Sequence, residues 1–226
     1  DIDKSELNAN LEAYLTVNVD ATYFCNALSK LSTNHKSRID YLTRCKALSL
    51  EYSYLPTKTD GSQNRQPHTV IAKISKFAGD NTIFCLDTGQ NLIWAIQGLE
   101  SLGRRQFISS WGHSPMGYAI CAALGAAELN ERPEVVCIIG DGGIQMNIQE
   151  LQTLYLNNYN VKVFVINNNS LGAIKEFQDD NLGARHVGTG SGIDYQSPNM
   201  TKIGKAYGIR SINVSHSTNI DECLTI

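Results

Sequence analysis

Two short runs carry the residue types best suited to chemistry. Gly140-Asp141-Gly142-Gly143 follows an apolar stretch ending at Ile139, and Asn167-Asn168-Asn169 follows a second one ending at Ile166. A carboxylate flanked by glycines lets the backbone approach a diphosphate without side-chain interference. The carboxylate itself suits a divalent cation that offsets the phosphate charge, and Mg²⁺ takes few protein oxygens beside phosphate and water. An amide oxygen from the asparagine run supplies a second ligand of that kind. Taken singly, Gly-Asp-Gly and an Asn run are also ordinary turn chemistry. Their combination, with Asn168 standing 27 positions after Asp141 and a helix and a strand between, is far more specific.

For these groups to meet, both runs must lie at strand carboxyl ends of one parallel sheet, where helix N-termini offer unpaired N–H groups to an anion. The chain after Pro67 reads that way. Helix is expected over 70–77, 93–101, 116–129 and 144–156, and strand over 82–86, 135–139, 161–166 and 211–214. Strands alternating with helices predict an α/β fold: an open, mostly parallel sheet with helices on both faces. Gly117, Ala119, Ala122, Ala123, Gly125, Ala126 and Ala127 make one helix nearly free of bulk. Ile144, Ile148, Leu151 and Leu154 put a sheet-facing stripe on the next.

Before that region, 1–31 reads as strand end, turn and helix through Tyr23, Phe24, Ala27, Leu28 and Leu31, the tail of an α/β domain. Residues 32–67, with a helix over 39–54 and a polar, turn-rich run after Pro56, read as an interdomain linker. The main domain is expected over 68–226.

The 226 residues carry a formal net charge of −3 and a pI near 6.0, with Lys and Arg dispersed, so no basic face for nucleic acid is expected. The longest apolar runs have strand length, and no membrane span is expected. Cys25, Cys45, Cys85, Cys121, Cys137 and Cys223 show no CxxC or Cys/His spacing, and no signal peptide is recognisable, so reduced thiols and a cytoplasmic protein are expected. Cys85 and Cys137 read as small core residues. No GxGxxG opens a helix after the first strand, which argues against a Rossmann dehydrogenase. Gly188-Thr189-Gly190-Ser191-Gly192 reads as a flexible loop.

The spacing of GDG and NN resembles the signature of thiamine diphosphate (ThDP)-dependent enzymes, and the run 140–151 is similar to that of acetolactate synthases. So are Asn167 to Gly172, Trp111 to Tyr118, Thr88 to Asn91, and Asp1-Ile2-Asp3 with its helix. The resemblance implies that Asp141, Asn168 and the Ser170 carbonyl bind Mg²⁺. It implies that Gly89, Gln90, Asn91, Gly142, Gly143, Leu171 and Gly172 hold the diphosphate, in a motif opened by Gly140. Met116 would wedge the cofactor into a bent shape, and Ser114 and Met116 would touch its pyrimidine through their backbones. The reaction implied is decarboxylation of a 2-oxo acid, with transfer of the remainder to a second carbonyl.

The activating glutamate of such enzymes sits on a pyrimidine-binding domain of a second subunit, so the expectation is a truncated part of a homodimer or homotetramer, inactive alone. Glu150 and Glu176 occupy other positions. Ala173 and Phe177 stand where acetolactate synthases typically carry methionine and tryptophan, which implies a pocket of different shape. His113 lies where a proton shuttle near the thiazolium is conceivable, though a loop histidine bonded to backbone is the simpler reading. Arg185, beside His186, is a candidate partner for a substrate carboxylate, with a solvated arginine the simpler reading. FAD is left open, and nothing in this stretch indicates it. Two alternatives stand beside this reading: the diphosphate-binding subunit of a two-chain ThDP enzyme, and a non-catalytic ThDP- or nucleotide-binding module.

Overall fold

A computed structural model describes residues 1–31, 38–52, 66–129, 133–190, 194–214 and 220–224. The chain divides into two compact units, Asp1–Tyr52 and Ser53–Ile226. The division falls inside the stretch read as linker, and 53–65 lie outside the described residues. The first unit holds a short turn of 3₁₀-helix, α1 (Ala21–Ser29) and α2 (Ile39–Glu51). Asp20 caps α1 by accepting from the Thr22 N–H at 2.8 Å. None of these three elements has a buried residue.

The second unit is built on four parallel strands, β1 (Ile83–Leu86), β2 (Gln106–Ile108), β3 (Val135–Gly140) and β4 (Val161–Ile166), in the order β2-β1-β3-β4. Cys85 pairs with Cys137, Leu86 with Ile138, and Gly140 with Ile166. Alternation along the strands divides the core. Cys85, Val135, Cys137 and Ile139 pack with α5 (Tyr118–Ala127) and with Leu151 and Leu154 of α7 (Glu150–Leu156). Phe84, Leu86, Val136 and Ile138 pack on the other face with α3 (Pro67–Phe77) and α4 (Gln90–Gly98). Ala119 and Ala123 are fully buried, so their small size lets α5 lie close on the sheet. Burial pushes the Cys85 thiol up to about 12 and the Cys137 thiol well above its ordinary value, which leaves both as inert core groups. Among the described residues, no helix is long and apolar enough to cross a membrane.

Four features depart from expectation. Helix begins already at Asp141, as α6 (Asp141–Met146), and stops at Asn147 before α7 starts. The break has a use: Asn147 Nδ2 donates to the Gly117 carbonyl at 3.0 Å, tying this turn to the start of α5. Residues 211–214 form no strand, and Ser211 Oγ instead donates to the Ile209 carbonyl at 2.9 Å, behind α9 (Met200–Ala206). The short edge strand β2 was not expected, nor was α8 (Gly172–Asn181).

Candidate cofactor and metal site

The chain leaves β1 toward β2 on one side and reaches β3 on the other, so the carboxyl ends of β1 and β3 flank a topological switch point, the usual place for a ligand in an open parallel sheet. A cavity of about 290 Å³ opens there. Gly89, Gln90, Asn91, Ser114, Met116, Gly140, Asp141, Gly142, Gly143, Asn168, Ser170, Leu171 and Gly172 all line it. The fold thus brings every expected cofactor residue to one place, from four separate segments.

Asp141 is 2% exposed, and its Oδ2 has no hydrogen-bond partner. Burial raises its carboxyl pKa, against the opposing pull of the Gly142 N–H and the Tyr195 hydroxyl. A buried carboxylate oxygen without a donor is costly, and a cation is the natural partner for it. Tyr195 also accepts from Gln145 Nε2 at 3.4 Å, while burial first and the negative Asp141 second push its phenol up to about 12. Among the described residues, no three His, Cys, Asp or Glu side chains converge. The cavity that holds the Asp141 carboxylate is lined instead by Asn168 and Ser170, whose neutral oxygens are of the type that suits a hard cation keeping water and phosphate.

The close packing of the cavity walls requires its glycines. A Cβ on Gly142 would strike Leu171 Cδ2, one on Gly143 would strike Asp87 Oδ2, and one on Gly172 would strike Gln90 Oε1. The N-termini of α4, capped by Gly89, and of α8, preceded by Leu171, both reach the cavity, and their first N–H groups lack intrahelical partners. Leu171 itself spends its N–H on the Thr189 carbonyl at 3.0 Å, so its part in the lining falls to its side chain. Asn91 Nδ2 donates to the Thr88 carbonyl at 2.7 Å, which leaves the buried Oδ1 without a partner.

The loop after β4 is shaped by its own amides. Asn167 Oδ1 accepts from the Asn169 N–H at 2.9 Å and Asn168 Oδ1 from the Ser170 N–H at 3.1 Å. Asn169, at a φ of 53°, accepts from the Ser197 N–H at 2.6 Å.

Ala173, read as a pocket residue, lines the cavity, and so do Asp87, Thr88, Trp94, Ile166 and Ile174, which were not anticipated as site residues. Asp87 had a signal, for it ends the first apolar strand as Asp141 follows another. It is 1% exposed and accepts from the N–H groups of Gly117 and Ala119, both at 3.1 Å. Those bonds fasten the start of α5 to the end of β1 and fix Met116, next to Gly117. Gly117 has a φ of 84°, a left-handed conformation that favours glycine. Ser114 also has a positive φ, 45°, stabilised as its N–H donates to the Ser110 carbonyl at 2.8 Å and its Oγ to the Trp111 carbonyl at 3.0 Å.

Other candidates fall outside. His113 and Arg185 are exposed and do not line the cavity. His186 lies 2.5 Å from Asp179. Glu150 accepts from Thr153 Oγ1 at 3.0 Å and lies away from the cavity, and Glu176 accepts from Gln90 Nε2 at 3.3 Å.

Fold and site together define a parallel α/β domain with a switch-point cavity fit for an anion and a hard cation. Residues 87–225 match the thiamine pyrophosphate enzyme, C-terminal TPP binding domain, and the chain belongs to that family. Along 100% of its length it is 30% identical to the acetolactate synthase large subunit of Lactococcus lactis subsp. lactis (strain IL1403), of which it covers 38%. It is 29% identical over 99% of its length to that of Porphyra purpurea, covering 38%, and 28% identical over 97% to acetolactate synthase 2, chloroplastic, of Nicotiana tabacum, covering 34%. The chain therefore spans little more than a third of these relatives.

Proposed function

We propose that this chain is the part of a ThDP- and Mg²⁺-dependent enzyme, acting on 2-oxo acids in the manner of acetolactate synthases, that holds the diphosphate and metal end of the cofactor. The observation that carries this reading is the partnerless Oδ2 of buried Asp141, set beside Gly142 and Gly143 in the switch-point cavity. ThDP (thiamine pyrophosphate), when bound, supplies the carbanion chemistry that removes the carboxylate of a 2-oxo acid.

The chain's own residues do the rest. Asp141, the Asn168 amide oxygen and the Ser170 carbonyl hold Mg²⁺. Gly89, Gln90 and Asn91 at the head of α4, with Gly142, Gly143 and Gly172, receive the diphosphate, and Leu171 packs over Gly142. Asp87 and Asn147 hold the Gly117 backbone from two sides, which sets the adjoining Met116 where its side chain would support the cofactor. Ser114 presents backbone to the pyrimidine.

The rest of the enzyme lies outside these residues. The activating glutamate comes from a pyrimidine-binding domain of a second subunit in a homodimer or homotetramer, so the chain alone is inactive, and the protein works in the cytoplasm. The reading of 1–31 as the tail of a middle domain and 32–67 as linker is supported by relatives that align along almost the whole chain. That alignment favours a single-chain enzyme over a separate diphosphate-binding subunit. Ala173 lines the cavity and Phe177 is exposed on α8, which favours a substrate pocket unlike that of enzymes with methionine and tryptophan there.

Calorimetric titration of ThDP with and without Mg²⁺, alone and with a separately produced pyrimidine-binding domain, tests the cofactor assignment. Metal-dependent binding supports it, and absence of binding in both settings refutes it.

A further inference from the structure

The metal-side loop leaves the sheet at the end of β4 and is held there by several bonds. Its internal amide turns set its shape, Asn169 is held by the Ser197 N–H at 2.6 Å, and Ser170 and Leu171 are held by the Thr189 carbonyl. That carbonyl accepts from Ser170 Oγ at 2.6 Å and from the Leu171 N–H at 3.0 Å. Thr189 is 2% exposed, and its hydroxyl donates to Gln178 Oε1 at 2.7 Å. Gln178, on α8 and 8% exposed, also accepts from the Val187 N–H at 3.4 Å and donates through Nε2 to the Val187 carbonyl at 3.2 Å. The chain therefore closes a ring. Ser170 and Leu171 lead into α8, α8 returns Gln178 to the 187–189 segment, and that segment returns to Ser170.

An apolar side chain at 178 would fill the same buried space without matching any of these groups. A buried glutamine whose amide engages both Val187 and Thr189 specifies one arrangement of the segment, since each unmatched partner would cost free energy. Residues of this kind, behind a metal ligand rather than on the metal, commonly govern affinity by orienting the ligand.

We propose that Gln178 and Thr189 are positioning residues for the metal: through the Thr189 carbonyl they fix Ser170 at the cavity and so set the affinity for Mg²⁺. The inference rests on the cofactor reading above.

The test uses the 226-residue chain, with the separately produced pyrimidine-binding domain where ThDP binding needs it, and the variants Gln178→Leu, Thr189→Val and Thr189→Ser. Two quantities are read: amide hydrogen exchange at Leu171 without ligand, and the Mg²⁺ concentration that half-saturates ThDP binding. Gln178→Leu and Thr189→Val should accelerate exchange at Leu171 while leaving β1 and β3 unchanged, and should raise the Mg²⁺ half-saturation by about tenfold or more. ThDP affinity at saturating Mg²⁺ should stay near that of the wild type, and Thr189→Ser, which keeps the hydroxyl, should restore both readings. Should Gln178→Leu fail to fold, the nearly isosteric Thr189→Val decides. Unchanged exchange at Leu171 overturns the brace. Faster exchange with an unmoved Mg²⁺ requirement overturns its link to the metal and leaves a purely structural contact. If the wild-type chain itself shows no Mg²⁺-dependent binding, the cofactor reading fails and this inference falls with it.

Discussion

The two edges of the sheet treat their carboxylates in opposite ways. At the amino edge, Glu134 accepts from the Gly79 N–H at 3.1 Å, Thr82 Oγ1 at 2.5 Å and Lys162 Nζ at 2.6 Å. Burial pushes its pKa up, but the bonds from Lys162, Thr82 and Gly79 outweigh that and hold it below the ordinary range. Arg105 serves the same edge, with its guanidinium donating to the carbonyls of Ser75, Gly79 and Glu100 and to Ser75 Oγ. At the carboxyl edge, Asp87 and Asp141 are buried, both have raised pKa values from desolvation, and Asp141 keeps an oxygen without a donor. A matched carboxylate is a fixture of the fold. An unmatched one costs stability, and its presence in a lined cavity marks a place made for a ligand.

The strongest way to break this contrast is Asp141→Ala. Removing the proposed metal ligand should weaken Mg²⁺-dependent ThDP binding by more than about 100-fold, beyond what second-layer changes usually cause. The melting temperature of the unliganded chain should hold or rise, because a desolvated carboxylate with an orphan oxygen is lost. Calorimetry and thermal melts read the two effects. A large fall in melting temperature with intact binding would make Asp141 a second Glu134.

Gly143→Ala probes the same edge sterically. Its Cβ would fall on the Asp87 carboxylate, which also anchors Gly117 and Ala119, so either the head of α6 or the Met116 segment must shift. Overpacking of this kind costs about 1–3 kcal/mol, and here it should reduce stability and ThDP binding together. Glu134→Ala should do only the first. Losing hydrogen bonds to a partly buried charge predicts a fall of about 1–3 kcal/mol by denaturant titration, with the Mg²⁺ requirement unchanged.

What the sequence discloses follows the same division. β1, β3 and β4 stand out as apolar runs because strands covered on both faces need nearly continuous hydrophobic side chains. Gln106–Ile108 has no such run, being a three-residue edge strand with Gln106 and Phe107 exposed. The break at Asn147 is hidden because the stripe through Ile144, Ile148, Leu151 and Leu154 continues across it, while the cause is a tertiary bond to Gly117. Asp141 and Asn168 are legible because backbone-level chemistry at strand ends leaves a local pattern of glycine, carboxylate and amide. Gln178, Thr189 and Tyr195 act through partners that only folding brings near, and neither composition nor spacing marks them.

The finest distinction between the two edges is in pH. Asp87 has a folded pKa above its ordinary value of 3.8, so whatever stability its protonated form contributes is fully present below about that pH and is lost as pH rises through the folded value. Glu134 has a folded pKa below its ordinary value of 4.5, so its contribution is present above that pH and is lost as pH falls through the folded value. Melting temperatures of the unliganded chain, compared with Asp87→Asn and Glu134→Gln across this acidic range, should give difference profiles of opposite slope. Relative to the wild type, Asp87→Asn gains as pH rises above 3.8, even though it leaves one of the two α5 N–H groups poorly served. Glu134→Gln loses as pH rises toward 4.5 and changes no further above it. Parallel slopes would mean that the two backbone N–H bonds outweigh desolvation at Asp87, and that this carboxylate is as much a fixture as Glu134. The unmatched character of the carboxyl edge would then reside in Asp141 alone.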